Sequence, residues 1–140
     1  MTEKIAVIRI RGVRSMDPQI KIALEYLKLH RPNHCVILNA TPQTLGAIEK
    51  VRDYVTYGEI DDQTFEKLLF KRGEKGGKLL RNTDSDVKKV SKEFDGKTES
   101  VDPVFRLHPP RSGYKDIKSH YPKGDLGKRD NINELIRRMM

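Results

Sequence analysis

At 140 residues the chain has room for one small domain with appendages, and 36% hydrophobic content with a mean hydropathy of −0.69 builds only a modest core. Twenty-eight Lys and Arg against 20 Asp and Glu give a net charge of +8 and a pI near 9.6, which points to a polyanionic partner and most directly to nucleic acid. No stretch approaches the roughly 18 apolar residues of a membrane span, and a lone cysteine, Cys35, excludes a disulfide framework or a cysteine-built metal knuckle and fits a reducing cytoplasm.

The N-terminus lacks a signal-peptide layout and opens directly on a strand, residues 5–10 (IAVIRI), followed by a loop over 11–16. Asp17 before Pro18 reads as a helix start, because Asp caps free backbone N–H groups and Pro fits the first turn. Ile20, Ala23, Leu24 and Leu27 then recur at helical spacing. Arg31, Pro32 and Asn33 break the chain before a second strand, His34–Asn39. Thr41 and Pro42 repeat the helix start, Leu45, Ile48, Val51 and Val55 form the next stripe, and residues 55–60 make a third strand. The first sixty residues thus read as a β-α-β-α-β core. Its first two strands are apolar on both sides, whereas two short helices cover one face of a sheet. A later segment, around residues 104–107, is expected to shield the other.

Residues 61–103 read as a mixed-charge helical extension. Asp61 or Asp62 caps a short helix through Phe65, Leu68, Leu69 and Phe70. A basic, Gly-rich loop follows (KRGEKGGKLLR), and Asp84 or Asp86 opens a further helix bearing Val87, Val90 and Phe94. Residues 104–140 read as a basic tail ending in a short helix over 131–139. Charge divides unevenly: nine basic and six acidic residues over 1–60, ten of each over 61–102, and nine against four over 103–140.

Gly73, Gly76, Gly77 and Lys78 superficially suggest a phosphate loop, but three residues instead of four precede the Gly-Lys pair, and Leu79 replaces the Ser or Thr that reaches magnesium. A basic loop on RNA phosphates, carrying Lys71, Arg72, Lys75 and Lys78, suits the composition better. His30, His34, His108 and His120 show no metal spacing, and Cys35 in an apolar strand reads as a small buried hydrophobe. Arg9, Arg11 and Arg14 around Gly12 form an Arg-rich loop able to fork around phosphates. In the tail, Arg111, Ser112, Gly113, Tyr114, Lys115, Lys118, His120, Tyr121, Lys123, Lys128 and Arg129 interleave cations, rings and turn residues. That pattern fits a segment laid along a phosphodiester backbone with rings stacked on bases.

These residues resemble the large-subunit ribosomal protein family called L-thirty in bacteria and L-seven in eukaryotes, in its archaeal form. IAVIRIRG, LEYLKLHRPNHCVILN and TLGAIEKVRDYVTYGEI match the core of the bacterial members. FEKLLFKRG and the run from HPPRSGYKDIKSHYPKGDLGKRD to NELIRRMM match the extension of the longer members; residues 75–101 match least. The resemblance implies an α+β, two-layer fold, a three-stranded antiparallel sheet with two helices on one face and ferredoxin-like in kind, plus the helical and extended C-terminal extension. It implies a structural constituent of the cytoplasmic ribosome that binds ribosomal RNA beside neighbouring ribosomal proteins, with no membrane, small-molecule substrate, catalysis, metal or cofactor. Arg111, Ser112, Gly113, Lys115, Gly124, Asp125 and Arg129 match its tail pattern. Two alternatives remain open. One is a free-standing ferredoxin-like RNA-binding module, for which Tyr57 is the one available strand aromatic. The other is a small phosphate-handling enzyme using Arg9 or Arg11 to hold the anion.

Overall fold

The fold is a computed structural model that describes residues 4–12, 17–75, 78–79, 104–114, 119–121, 123–124, 126–129 and 131–139. In chain order the elements are β1 (Lys4–Arg9), α1 (Pro18–Tyr26), β2 (His34–Asn39), α2 (Pro42–Lys50), β3 (Val55–Glu59), α3 (Asp62–Arg72), β4 (Glu74–Lys75), β5 (Lys78–Leu79), β6 (Val104–Arg106), β7 (Gly127–Lys128) and α4 (Ile132–Met139). The helix expected near residues 86–94 lies outside the described residues.

The three helix starts of the first 65 residues follow from capping chemistry. The Asp17 carboxylate accepts the Gln19 N–H at 3.0 Å, and Asp61 accepts the Thr64 N–H at 2.7 Å. At α2 the pairing is reciprocal: Thr44 N–H donates to Thr41 Oγ1, and Thr41 N–H to Thr44 Oγ1. α1 ends in a Schellman turn. Lys28 takes a left-handed backbone (φ 63°) and donates its N–H to Glu25 O at 3.0 Å, while Leu29 N–H reaches Leu24 O at 2.9 Å. Leu24 and Leu29 meet in the same apolar cluster, the hydrophobic contact that accompanies such turns.

β1 is the central strand. It pairs antiparallel with β2 (Lys4↔Asn39 through Ile8↔Cys35) and with β3 (Ile5↔Glu59 through Arg9↔Val55). Successive side chains alternate between faces. Ile5, Val7 and Val36 pack with Leu24, Leu27, Ile48 and Val51 under α1 and α2. Ala6, Ile8, Cys35 and Ile37 pack on the other face with Phe65, Leu68 and Leu69 of α3 and Ile132, Leu135, Ile136 and Met139 of α4.

The expected three-stranded antiparallel sheet is the centre of a larger, mixed one, in the order β6-β2-β1-β3-β7. β6 adds antiparallel to β2, and β7 adds parallel to β3. Residues 104–107 shield part of the open face as expected, but from its side. They extend the sheet edge, because their backbone pairs with β2, and only Phe105 and Leu107 lend side chains to the second cluster. α3 and α4 provide the cover. Gly58 lets the C-terminal segment come this close: a Cβ there would stand 2.8 Å from Arg129 O and 3.0 Å from Ile132 Cβ. Among the described residues no helix is long and apolar enough to cross a membrane.

Candidate nucleic-acid interface

The topology collects basic residues at one end of the sheet. The C-terminal ends of β1 and β6 and the N-terminal ends of β2, β3 and β7 share that end. α3 and α4 run side by side back toward it: Asp61 N–H donates to Asn133 Oδ1 at 3.0 Å, and Arg137 Nη2 to Thr64 Oγ1 at 3.3 Å. Lys71, Arg72, Arg137 and Arg138 sit in the last turns of these helices, where a positive charge also suits the helix dipole.

Two main-chain N–H groups complete the end of α4. His108 donates to Met139 O at 3.2 Å and Arg111 to Arg138 O at 3.1 Å, so the Pro109–Pro110 segment satisfies carbonyls that a helix terminus leaves open. Ser112 and Gly113 both take positive φ (71° and 70°) in the adjoining turn, which leaves Arg111, Ser112 and Gly113 exposed at the surface. Lys123 and Lys128 are also exposed. Arg11 is half-buried, its guanidinium 5.1 Å from the centre of the Tyr54 ring. Lys75 and Lys78 stand opposite each other in the β4–β5 hairpin, which replaces the open loop expected there. Arg14, Lys115, Lys118 and Asp125 lie outside the described residues.

Four expected RNA contacts have other occupations. Arg9 is buried at 2% exposure; Nη1 donates to Leu29 O at 2.8 Å and Nε to Arg11 O at 2.9 Å, and burial lowers its pKa. It alternates onto the same face as Ile5 and Val7, under the end of α1, and so points inward. Tyr114 is half-buried against the second cluster, with its hydroxyl donating to Asn33 Oδ1 at 2.7 Å, so its ring is not free to stack on a base. Arg129 is buried, its guanidinium 5.3 Å from the centre of the Tyr121 ring. The His120 ring lies against Gly127, and Nε2 is 2.8 Å from Asp53 Oδ1, which ties the segment before β7 to the turn before β3. Arg9 braces the end of β1 against the turn after α1, and the other three hold the tail onto the core.

Tyr57 is half-buried beside the α1–α2 cluster, and burial raises its pKa. With helices on both faces, the described sheet offers no bare aromatic platform for stacked bases. Cys35 is wholly buried and burial pushes its thiol pKa well up, as expected of a structural cysteine.

The family profile described as "Ribosomal protein L30p/L7e" matches residues 5–55, from β1 to the start of β3. A protein of Archaeoglobus fulgidus named "Large ribosomal subunit protein uL30" is 42% identical over 150 residues, covering 96% of this chain and 98% of its own. Proteins of the same name from Methanococcus vannielii and Methanococcus maripaludis strain C5 are 41% and 40% identical with the same coverage.

Proposed function

Because the chain belongs to the ribosomal protein L30p/L7e family, we propose that it is a structural constituent of the large ribosomal subunit that binds and orders ribosomal RNA. The observation that carries this reading is the end-to-end similarity: the relatives align through the C-terminal extension as well as the core. Its partners are large-subunit ribosomal RNA and adjacent ribosomal proteins, its place is the ribosome in the cytoplasm, and its role requires no catalysis.

The RNA-facing residues of this reading are cations of the basic end and of the tail: Arg11, Arg14, Lys71, Arg72, Lys75, Lys78, Arg111, Lys115, Lys118, Lys123 and Lys128, with the Ser112–Gly113 turn offering main-chain N–H groups. Arg9, Tyr114, His120 and Arg129 act behind them by fixing the backbone that presents the cations. Support comes from the convergence of strand ends and helix ends carrying positive charge. Electrostatic binding of this kind makes log affinity fall linearly with log salt, by about 0.7–0.9 per phosphate neutralised. The test is the affinity of the purified chain for transcribed large-subunit ribosomal RNA across a salt series. A slope equivalent to several phosphates supports the reading, and an affinity that ignores salt contradicts it.

A further inference from the structure

Three basic residues fall on one rung across neighbouring strands: Arg9 closes β1, His34 opens β2 and Arg106 closes β6. His34 and Arg106 are direct register partners, and Arg9 O accepts the N–H of the preceding Asn33 at 2.7 Å. Strand alternation sends all three side chains to the same face. Arg9 shares it with Val7, His34 with Val36, and Arg106 with Val104, all beside the α1–α2 cluster. Next to the row, the turn between α1 and β2 carries His30 and Arg31, both exposed.

Burial, and after it the positive charges of Arg106, Arg31 and Arg9, lower the His34 pKa, so the ring is neutral near pH 7. Two donor-capable nitrogens in the row, Arg9 Nη2 and His34 Nδ1, are buried with no hydrogen-bond partner. A buried guanidinium that donates to the neutral carbonyls of Leu29 and Arg11 has its charge uncompensated by them, and like charges on one rung repel. Both conditions favour an anion over the row. Exposed Arg31 and Arg106 are placed to reach it, and Arg forks match phosphate oxygens.

The geometry points to a phosphate-binding site for RNA formed by Arg31 and Arg106 around His34, with Arg9 as a fixed positive charge behind it. The site lies on the α1–α2 side of the basic end, on residues that composition-based reading of the tail does not single out. It rests on the reading that the chain binds ribosomal RNA, and names a place where one backbone phosphate is held.

The experiment compares four chains on transcribed large-subunit ribosomal RNA across a salt series: wild type, Arg31→Gln, Arg31→Gln with Arg106→Gln, and a control with Lys21→Gln and Lys50→Gln on the outer helices. Thermal melts establish that each is folded; Arg31→Gln alone lies in a turn outside the strand pairing, so it tests the site without touching β6. The expected result for the double variant is a salt slope shallower by about 0.9, which is about eightfold weaker binding at 0.1 M salt. Arg31→Gln gives part of this, and the control keeps a nearly wild-type slope. Wild-type binding with an unchanged slope in both Arg31 variants overturns the site and leaves the function standing. A loss in the control as large as in the double variant overturns it too, as a general charge effect. Wild type that fails to bind overturns the function and the site together.

Discussion

Arg9 and Arg11 are two positions apart and live in opposite surroundings. Arg9 is buried with two hydrogen bonds to main-chain carbonyls, while Arg11 lies half-exposed over Tyr54. Both read from sequence as phosphate-facing cations flanking Gly12 at the end of the first strand. What separates them is strand alternation together with the turn that brings Leu29 O to Arg9, and the second of these is not visible in the sequence around position 9. Replacing Arg9 by Met should cost about 2–4 kcal/mol in urea denaturation, since the buried Leu29 carbonyl and the part-buried Arg11 carbonyl lose their donors. Arg11→Gln should stay within about 1 kcal/mol; equal effects would contradict the assignment. Lys28 offers a change of opposite sign. Its left-handed backbone suits glycine, so Lys28→Gly should raise stability by about 0.5–1 kcal/mol, and a loss would show that the Lys28 side chain contributes more than its backbone costs. Cys35 should react with a thiol reagent only as fast as the chain opens, whereas fast labelling of the native protein would place it at the surface.

The elements of the first sixty residues are legible because each carries its own local signal. Asp17 with Pro18, Thr41 with Pro42 and Asp61 all cap where capping chemistry places them, and His34–Asn39 is a strand with the expected bounds. The additions to the sheet are not legible. β6 and β7 are three and two residues long, too short for a periodic signal, and exist only through pairing with distant strands. The two-faced apolar pattern of β1 and β2 does call for a second cover, but not for α3 and α4 as its source. Gly58 is where that cover depends on a missing side chain. Gly58→Ala should destabilise by about 1–3 kcal/mol, because the new methyl meets Arg129 O, a main-chain atom that cannot swing aside. A neutral substitution would mean that the β3–β7 pairing relaxes freely. At the start of α3, hydrogen bonding from Thr64 is the main cause holding the Asp61 carboxyl below its ordinary range. A carboxyl with a depressed folded pKa stabilises above its unfolded pKa and loses that contribution as pH falls through the folded one. Asp61→Ala should therefore cost about 1 kcal/mol near neutral pH, and the gap from wild type should close as acid protonates the cap. A gap that stays constant with pH would assign the loss to something other than the carboxylate.

At the scale of the whole molecule, the C-terminal forty residues have two jobs. Composition marks them as a basic, ring-bearing segment, and that is how they read before folding is considered. Half of their features turn out to belong to the core: Phe105, Leu107, Ile132, Leu135, Ile136 and Met139 are buried, and Tyr114, His120 and Arg129 tie the segment down. Among the described residues, Arg106 and Arg111 share one end of the sheet with the ends of α3 and α4. Removing residues 104–140 would therefore test folding before it tested RNA contact, and charge-removing substitutions on the intact chain are the sound way to examine binding. The central claim is membership of an assembled large subunit. It is tested most directly by sedimenting the intact chain with large ribosomal subunits through a high-salt wash. An integral component held by RNA and neighbouring proteins stays with the subunits at about one copy each. Complete release into the supernatant, with RNA binding retained in the free chain, would contradict it and favour the free-standing RNA-binding module.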